Sequence, residues 1–227
     1  MLAAPGRLVR PLLVLSGWRA PGFPAAAMAA RLRRLVGEKD AGRAGAVSFT
    51  FCNRIEQGPP KVIRAVDRLW PTDDPEATTE IDVVGISMGG LIARAAAAGL
   101  EQEASGRRLR IARLFTLGTP HRGARVARWL RPDPSVRSMA PGSEFLAALD
   151  RALPGAEYEL VCYARLRDSW VGASNTAPHG RSPIWKPGPP LLAHQTISTD
   201  RLIRLDIARR LRGEPPFGAC ASAPPCE

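Results

Sequence analysis

The sequence predicts an α/β fold in which a mostly parallel sheet of about six strands carries helices on both faces. Short apolar segments alternate along the chain with amphipathic helical segments, and this alternation is typical of βαβ units. Residues 81–86 are apolar almost throughout, as expected for a central strand that is covered on both sides. The chain has 227 residues, which is enough to bury the core of one such domain.

The first half of the chain is predicted to form three strand–helix pairs. Apolar runs predict strands at residues 10–15, 46–52 and 81–86, and Ser16-Gly17 is expected to end the first of them. Apolar residues at helical spacing predict a helix after each strand. They are Ala27, Met28, Leu32 and Leu35, then Val62, Ile63, Val66 and Leu69, and then the alanine-rich residues 91–100. Gly37 and Pro71 are expected to end the first two helices.

The second half contains fewer regular elements. Strands are predicted at residues 111–117 and 158–164, and helices at residues 143–153 and 199–212. Residues 118–142 and 172–193 are crowded with glycine and proline and receive no assignment; loops of this length in a compact domain are usually functional or mobile. We therefore expect one domain over residues 1–213, followed by a Pro/Ala-rich tail over residues 214–227.

The charge of the chain bears on its partners. The formal net charge is +11, but the arginines that carry it are spread over nearly all segments, with few short groups. A nucleic-acid-binding protein would present a clustered basic face, with aromatic residues among the basic ones or a recognisable binding module. We expect no nucleic-acid partner, and a mildly basic surface that attracts anionic substrates or lipid.

The four cysteines and the N-terminal residues bear on the compartment. The cysteine spacing fits no metal site. Cys52 and Cys162 lie in predicted strands, whereas Cys220 and Cys226 lie in the tail and could pair only in an oxidising compartment. Residues 7–15 resemble the charged and apolar parts of a signal peptide, but the apolar run is short and is needed as a strand. We expect a cytoplasmic protein, with a secreted or periplasmic one left open.

A candidate nucleophile lies between the central strand and the helix after it. Gly85-Ile86-Ser87-Met88-Gly89 fits the GxSxG pattern, in which a sharp strand-to-helix turn exposes the serine hydroxyl. Gly85 and Gly89 are required because the turn leaves no room for side chains on either side of Ser87. The helix would direct its N–H groups at the site, so Met88 would supply one oxyanion donor. The alternative is an ordinary glycine-rich turn with an incidental serine.

With this turn the chain resembles the α/β-hydrolase superfamily, in particular its lipase and esterase branch, which includes bacterial triacylglycerol-lipase-like and inositol-deacylase-like proteins. Three further stretches carry the resemblance: residues 12–18 (LLVLSGW), residues 117–123 (LGTPHRG) and residues 139–146 (MAPGSEFL). The resemblance implies the α/β-hydrolase fold. Since the chain begins directly at the first of these stretches, we expect a sheet without the first two strands of the family.

The resemblance also implies an oxyanion hole at the end of the first strand. The family usually has His-Gly after this strand, whereas this sequence has Ser16-Gly17. The second oxyanion donor would be a backbone N–H, that of Trp18, and a backbone donor survives a change of side chain if the turn keeps its shape.

The sequence contains three candidates for the general base, because a serine hydroxyl needs an imidazole to take its proton. His194 precedes the last predicted helix, where the resemblance places the catalytic histidine, and is our choice. His121 lies in the GTPH turn, before any suitable acid, and its expected task is to shape that turn. His179 lies between Pro178 and Gly180 and is expected to be solvated.

The acid of the triad is expected to be Asp168. It follows the strand at residues 158–164, and Asp168-Ser169-Trp170-Val171 resembles the family's Asp-x-x-Val segment. Of the other candidates, Asp133 and Asp150 fall earlier in the chain, in or near helices. Asp200 and Asp206 follow His194 and are expected to cap or decorate the final helix. An ordinary loop carboxylate remains the alternative for Asp168.

The sequence therefore predicts a serine hydrolase that cleaves carboxylic esters, esterase- or lipase-like and active in lipid metabolism, without cofactor or metal. Its partner would be a small-molecule or lipid ester, with peripheral contact to anionic lipid; the oligomeric state stays open. Five large side chains are candidates for an apolar cleft or for the core: Trp18, Phe23, Met88, Trp129 and Trp170. Residues 126–139 are either a small lid or an ordinary surface helix and loop. The alternative functions are acyl transfer, amide or thioester hydrolysis, and non-catalytic binding.

Overall fold

A six-stranded, all-parallel sheet forms the centre of the molecule. The computed structural model describes residues 6–100, 106–130, 132–189, 191–217 and 221–225. The strands are β1 (Leu12–Trp18), β2 (Ala44–Phe49), β3 (Ile81–Ile86), β4 (Ile111–Leu117), β5 (Glu159–Arg165) and β6 (Ile184–Lys186). They lie in the order β2-β1-β3-β4-β5-β6, and each neighbouring pair is parallel. The predicted fold class is thereby confirmed.

Helices cover both faces of this sheet. They are α1 (Gly22–Val36), α2 (Gly58–Leu69), α3 (Met88–Ala98), α4 (Pro134–Ser138), α5 (Glu144–Ala152), α6 (Ala193–Thr196) and α7 (Arg201–Leu211). Helices α1 and α7 pack on one face and α2, α3 and α5 on the other. Gly37 ends α1 in the left-handed conformation, with φ of 89°, as its position in the sequence predicts.

The strands are apolar because each buries both of its faces. Along β1, Leu13 and Leu15 belong to the core beneath α2 and α3, whereas Leu12 and Val14 belong to the core beneath α1 and α7. All four side chains are fully buried. A strand without a polar face can occupy only a sheet that is covered on both sides, which is why the longest apolar runs became the central strands.

Several element boundaries differ from the predicted ones. Strand β1 continues through Ser16 to Trp18, because the Ser16 side chain accepts a hydrogen bond from the backbone N–H of Phe49 (3.1 Å) and ties the strand end to β2. Helix α3 begins at Met88 rather than at residue 91. The two glycines after Met88 look like turn residues in the sequence but lie in the first helical turn.

The two unassigned stretches contain short elements. Residues 118–142 include one turn of 3-10 helix (Arg125–Arg128) and α4, and residues 172–193 include β6. Strand β6 has only three residues, and Pro183 and Pro187 flank it. It is missing from the predicted elements because a segment this short shows no periodicity of its own and depends on pairing with β5.

The described part of the tail lies against the domain. The backbone N–H of Phe217 donates to Asp206, and the indole Nε1 of Trp185 donates to Ser222 (3.0 Å). Cys220 and Cys226 fall outside the described residues, so their pairing stays a prediction. Cys52 and Cys162 are free and buried, as expected for residues in or beside strands. Within the described ranges, no helix has the length and apolarity that a membrane crossing requires.

Candidate active site

The turn between β3 and α3 holds Ser87 in a backbone conformation that residues other than glycine rarely adopt. Its φ is 52° and its ψ is −123°, so the residue lies outside the regions that are ordinarily populated. A Cβ at Gly85 would lie 2.4 Å from the Cα of Gly90, and a Cβ at Gly89 would lie 2.5 Å from the carbonyl oxygen of Ser16. Both glycines are therefore required by close backbone approach, as the motif predicts.

The backbone around Ser87 is fixed by hydrogen bonds on its carbonyl oxygen. That oxygen accepts from the N–H of Gly90 (3.1 Å) and from the hydroxyl of Thr119 (2.8 Å). Met88 is the first residue of α3, and its N–H belongs to the first helical turn, whose donors have no intrahelical acceptor. The start of α3, with the positive end of the helix dipole, therefore lies directly beside Ser87.

His194 lies next to the Ser87 hydroxyl. The Nε2 atom of His194 is 3.0 Å from the Oγ of Ser87, and its Nδ1 atom is 2.8 Å from the Oδ2 of Asp168. The three groups form one hydrogen-bonded relay, although 107 residues separate Ser87 from His194 along the chain. The parallel sheet brings them together, because Ser87, Asp168 and His194 all follow the carboxyl ends of strands.

Asp168 is oriented from its other oxygen. Its side chain is fully buried, and Oδ1 accepts hydrogen bonds from the backbone N–H groups of Trp170 and Val171, each 3.0 Å. On the other side of the relay, the ring of Trp170 stacks on that of His194, with centroids 5.4 Å apart and planes 10° apart. Gly118 lies against the same imidazole, since a Cβ there would be 3.3 Å from Nδ1 of His194. The imidazole therefore has little freedom to turn away from Ser87.

The end of β1 approaches Ser87 from the opposite side. A Cβ at Gly17 would lie 3.3 Å from the Cβ of Ser87, and Trp18 lines the same cavity as Ser87. Ser16 is buried, and its side chain accepts a hydrogen bond from the backbone N–H of Phe49. Its side chain thus contributes to the shape of the turn that presents the backbone of Gly17 and Trp18.

The other two histidines lie away from the relay. His179 is exposed, as predicted. His121 is fully buried, with its Nδ1 atom 2.9 Å from Arg94 and its Nε2 atom 3.1 Å from the hydroxyl of Thr116. Burial, and then the positive charge of Arg94, hold the pKa of His121 well below its usual range. A neutral, fully bonded imidazole fits the predicted task of shaping the GTPH turn.

An apolar cavity of about 250 Å³ opens beside Ser87 and His194. Of the five large side chains proposed for such a cleft, Trp18 and Trp170 line it, Met88 lies in the core, and Phe23 and Trp129 are exposed. Val126, Val136 and Met139 complete one wall, so the 126–139 segment covers part of the cavity. A larger cleft of about 420 Å³, lined by both charged and apolar residues, lies at the opposite edge of the sheet and does not include Ser87.

The structure adds three residues that the sequence does not single out. The hydroxyl of Thr119 donates to the carbonyl oxygen of Ser87, and Gly90 leaves room for the Thr119 side chain. Arg94 contacts the imidazole of His121 and so supports the GTPH turn. Arg94 is 1% exposed. It is the one charged residue in the otherwise apolar helix α3, and this isolated charge is the sequence signal that could have revealed it. Thr119 and Gly90 lie inside motifs whose individual positions carry no separate signal.

Comparisons with known proteins agree with this fold. The family model for the PGAP1-like alpha/beta domain matches residues 60–129, which include the Ser87 turn and the GTPH turn. No curated protein matches the chain in sequence.

Solved structures match over most of the chain. Lipase BlEst2 of Bacillus licheniformis, in its propeptide form, matches with a TM-score of 0.65 at 13% identity, over 97% of this chain and 54% of that one. Phospholipase PlaB of Legionella pneumophila matches with a TM-score of 0.64 at 11% identity, over 89% and 58%. A gene product of Listeria innocua matches with a TM-score of 0.57 at 12% identity, over 88% and 92%. The chain thus spans little more than half the length of the first two.

Proposed function

Since this chain has the α/β-hydrolase fold that lipases and esterases share, we propose that it is a serine hydrolase that cleaves carboxylic esters through an acyl-enzyme on Ser87. The proposal depends on one observation, the continuous relay from Ser87 through His194 to Asp168, with contacts of 3.0 and 2.8 Å. A strained turn that presents a hydroxyl to an oriented imidazole is the arrangement that nucleophilic acyl transfer requires.

The proposed reaction has two halves. His194 takes the proton of Ser87 as its Oγ attacks the ester carbonyl, and the protonated imidazole then gives that proton to the departing alkoxide. Water deprotonated by His194 attacks the acyl-enzyme, releases the carboxylic acid and restores Ser87. Asp168 holds the imidazole in the tautomer that accepts at Nε2 and stabilises its cation. The N–H groups of Met88 and Trp18 donate hydrogen bonds to the oxyanion of each tetrahedral intermediate and stabilise its negative charge.

The cavity favours an apolar acyl group. Its wall is built from tryptophan, proline, valine and methionine side chains, and such a surface gains free energy by excluding water from an alkyl chain. The same relay would serve acyl transfer or the cleavage of amides and thioesters, with a different acceptor or leaving group. The substrate class we propose is therefore a lipid or small-molecule ester with a hydrophobic acyl chain.

The test is turnover of p-nitrophenyl esters of increasing chain length, with covalent labelling by a fluorophosphonate probe. We expect Ser87→Ala to lower kcat by roughly 10⁴-fold or more and to abolish labelling. Ser198, another serine of the cavity lining, supplies the control: it is not part of the relay, and Ser198→Ala should keep the label. Full activity of Ser87→Ala, or a label on another residue, would contradict the proposal. Folded, unlabelled wild-type protein without turnover would favour a non-catalytic binding protein.

We also propose that the molecule makes peripheral contact with anionic lipid around the mouth of this cavity. Several large apolar side chains are exposed there and form what we call the apolar rim: Phe23, Phe51, Trp129, Leu130, Leu191 and Leu192. Each follows the carboxyl end of a strand within a few residues or lies in the loops beyond it, near residues that line the cavity. Phe51 and Leu191 are 87% and 85% exposed, so their burial in a lipid interface would be favourable.

Positive charges accompany the rim. Arg19, Arg54 and Arg128 are exposed next to it, and a basic residue near an anionic bilayer contributes about 1 kcal/mol of attraction. Apolar side chains and arginines together fit a surface of anionic lipid better than a neutral one. For the compartment we propose the cytoplasm, where the buried thiols of Cys52 and Cys162 would remain reduced.

Sedimentation with vesicles tests this contact. We expect the protein to bind vesicles of phosphatidylcholine that contain about one third phosphatidylglycerol at ~0.1 M salt. Binding to vesicles of pure phosphatidylcholine should be weaker by about tenfold or more. Phe51→Ser with Leu191→Ser should weaken binding by about tenfold or more. Val9→Ser with Leu69→Ser is the matched control, because these side chains are exposed before β1 and at the end of α2, away from the rim. Equal binding by both double variants would contradict the rim.

A further inference from the structure

The hydroxyl of Thr119 bonds the backbone of the nucleophile itself. Thr119 is fully buried, and its Oγ1 donates to the carbonyl oxygen of Ser87 at 2.8 Å. Thr119 lies in the GTPH turn after β4, and Ser87 lies in the turn after β3. The two turns are adjacent because β3 and β4 are neighbouring strands. The contact therefore joins two turns that are 32 residues apart in the sequence.

This contact acts on the oxyanion donor through the geometry of the peptide bond. The carbonyl of Ser87 and the N–H of Met88 belong to one planar peptide unit. A restraint on the oxygen therefore sets the direction of the N–H on the other side of the plane. The restraint matters here because Ser87, with φ of 52° and ψ of −123°, lies outside the wells that would otherwise hold the plane in place.

The contact also changes the electronic character of the same unit. The Ser87 oxygen accepts two hydrogen bonds, one from Thr119 and one from the N–H of Gly90 at 3.1 Å. Bonds accepted at a peptide oxygen polarise the unit and strengthen its N–H as a donor. Both effects favour the transition state, in which that N–H faces a developing oxyanion, more than the ground state.

The contact between Thr119 and Ser87 requires a glycine at position 90. A Cβ at Gly90 would lie 2.3 Å from the Oγ1 of Thr119, so any larger residue would displace the hydroxyl. The GxSxG pattern ends at Gly89 and does not require a second glycine. The space that Gly90 leaves is filled by the Thr119 side chain.

The turn that carries Thr119 is held on several sides. The backbone N–H of His121 donates to the carbonyl of Thr119 (2.9 Å), and the N–H of Gly118 donates to that of Tyr163 (2.9 Å). The imidazole of His121 is held in turn by Arg94. Thr119 is thus presented to Ser87 by a rigid support, which is what an orienting contact needs.

From these contacts we propose that Thr119 is a positioning residue of the oxyanion hole, which orients and polarises the Ser87–Met88 peptide and which Gly90 admits. The inference rests on the proposed function of Ser87, because it concerns the same tetrahedral intermediate. Thr119 is not among the residues that line the cavity beside Ser87, and it acts through the N–H of Met88.

A series of substitutions at Thr119 tests the donor. Serine keeps the hydroxyl, cysteine replaces it with a weak donor, and valine keeps the shape without any donor. We expect kcat for a soluble p-nitrophenyl ester to fall in the order serine, cysteine, valine, with a loss of about 10²-fold for Thr119→Val. KM and the pH profile should stay close to wild type, and Thr119→Ser should recover most of kcat.

A transition-state analogue separates positioning from stability. A trifluoromethyl ketone, which forms a tetrahedral adduct with the serine, should bind Thr119→Val more weakly by the same factor as kcat falls. Thr176→Val is the matched control, because the buried hydroxyl of Thr176 also donates to a backbone carbonyl, that of Ala173 (2.6 Å), but does not contact the Ser87 turn. We expect this control to keep kcat and the affinity for the ketone.

The outcomes distinguish this inference from the proposed function. If Ser87→Ala abolishes turnover but Thr119→Val keeps wild-type kcat, the positioning role is wrong and the nucleophile stands. If Thr119→Val fails to fold, the decision passes to Thr119→Ser and Thr119→Cys, whose equal kcat values would contradict the inference. If Ser87→Ala keeps full activity, the proposed function itself is wrong.

Discussion

At the scale of single residues, His121 is a buried side chain outside the relay that has a hydrogen-bond partner at each ring nitrogen. It is fully buried between Arg94 and Thr116, and Cys162 lies at 3.8 Å from its Nε2 atom. Protonation would place a second positive charge beside a guanidinium that is itself 1% exposed. The burial that lowers the pKa of His121 also raises the pKa of Cys162 to about 11. The cluster is therefore stable only with a neutral imidazole and a protonated thiol.

This cluster predicts a dependence of stability on pH. Because burial and Arg94 lower the pKa of His121, the unfolded chain binds a proton near pH 6.5 that the folded chain does not bind. The contribution is fully present above about pH 6.5 and is lost as the pH falls, with a slope of up to about 1.4 kcal/mol per pH unit. We expect the free energy of unfolding, measured by urea denaturation, to fall between pH 7 and pH 5.

Two histidine variants provide the comparison. His121→Gln should remove most of this slope, because glutamine does not titrate. His179→Gln should keep it, because His179 is exposed. A slope that survives in His121→Gln at its wild-type value would assign the dependence to other groups.

The relay itself could be predicted from the sequence at this scale. Ser87 belongs to a motif with a mechanical reason for each glycine, and only three histidines had to be weighed as its base. The choice of His194 and Asp168 among the candidates followed from the resemblance to the α/β-hydrolase superfamily. The structure brings the predicted residues within hydrogen-bond distance of one another; their catalytic roles remain predictions. The contact between Thr119 and Ser87 could not be predicted in this way, because it depends on how two turns meet across neighbouring strands.

At the scale of elements, the 126–139 segment is held to its surroundings from both sides. The N–H of Val126 donates to the carbonyl of Trp170 (3.0 Å), and the hydroxyl of Ser138 donates to Glu56 (3.1 Å). Asp133 caps α4 through the N–H of Val136 (3.1 Å) and pairs with Arg19 at 2.9 Å. The ion pair connects this segment with Arg19, the residue that follows the end of β1.

Removal of this ion pair should loosen the segment without unfolding α4. Asp133→Asn keeps an oxygen for the helix cap but loses the charge that pairs with Arg19. Arg19 is 56% exposed, so the pair contributes no more than about 1 kcal/mol, which is roughly fivefold in an equilibrium. We expect KM for a bulky, long-chain ester to fall by about 2-fold to 3-fold, because the mouth opens more easily, with kcat for a short-chain ester unchanged.

The partner substitution and salt check the cause. Arg19→Gln should give the same change, and the double variant should change KM no further. Salt at ~0.5 M should bring the wild-type KM toward that of the variants. An additive double variant, or an effect independent of salt, would mean that the ion pair does not hold the segment.

Element boundaries show where the sequence is informative. Strands β3 and β4 coincide with their predicted limits, because long apolar runs buried on both faces carry a clear signal. Strand β6 is not predicted, and helix α4 is predicted only as one alternative for residues 126–139. Both depend on neighbours, β5 and Asp133, rather than on a periodicity of their own. The role of the 126–139 segment as a lid or an ordinary surface segment stays a prediction.

At the scale of the whole molecule, the two edges of the sheet have different tasks. The carboxyl edge carries Ser87, Asp168 and His194. Toward the opposite edge, the buried carboxylate of Asp82 pairs with Arg113 (2.6 Å), and Arg113 also donates to the backbone carbonyls of Arg210 and Leu211 at the end of α7. This pair ties the centre of the sheet to the last helix. The fold class and the edge that carries the site could be predicted, because both follow from the alternation of elements.

The backbone conformation of Ser87 makes a side chain at this position costly for stability. A backbone at φ 52° and ψ −123° suits a residue without a Cβ, and holding a side chain there costs about 1–3 kcal/mol. A glycine would therefore make the molecule more stable while depriving it of its hydroxyl. Thermal stability alone favours glycine at this position, and the role proposed for the hydroxyl would account for a serine there.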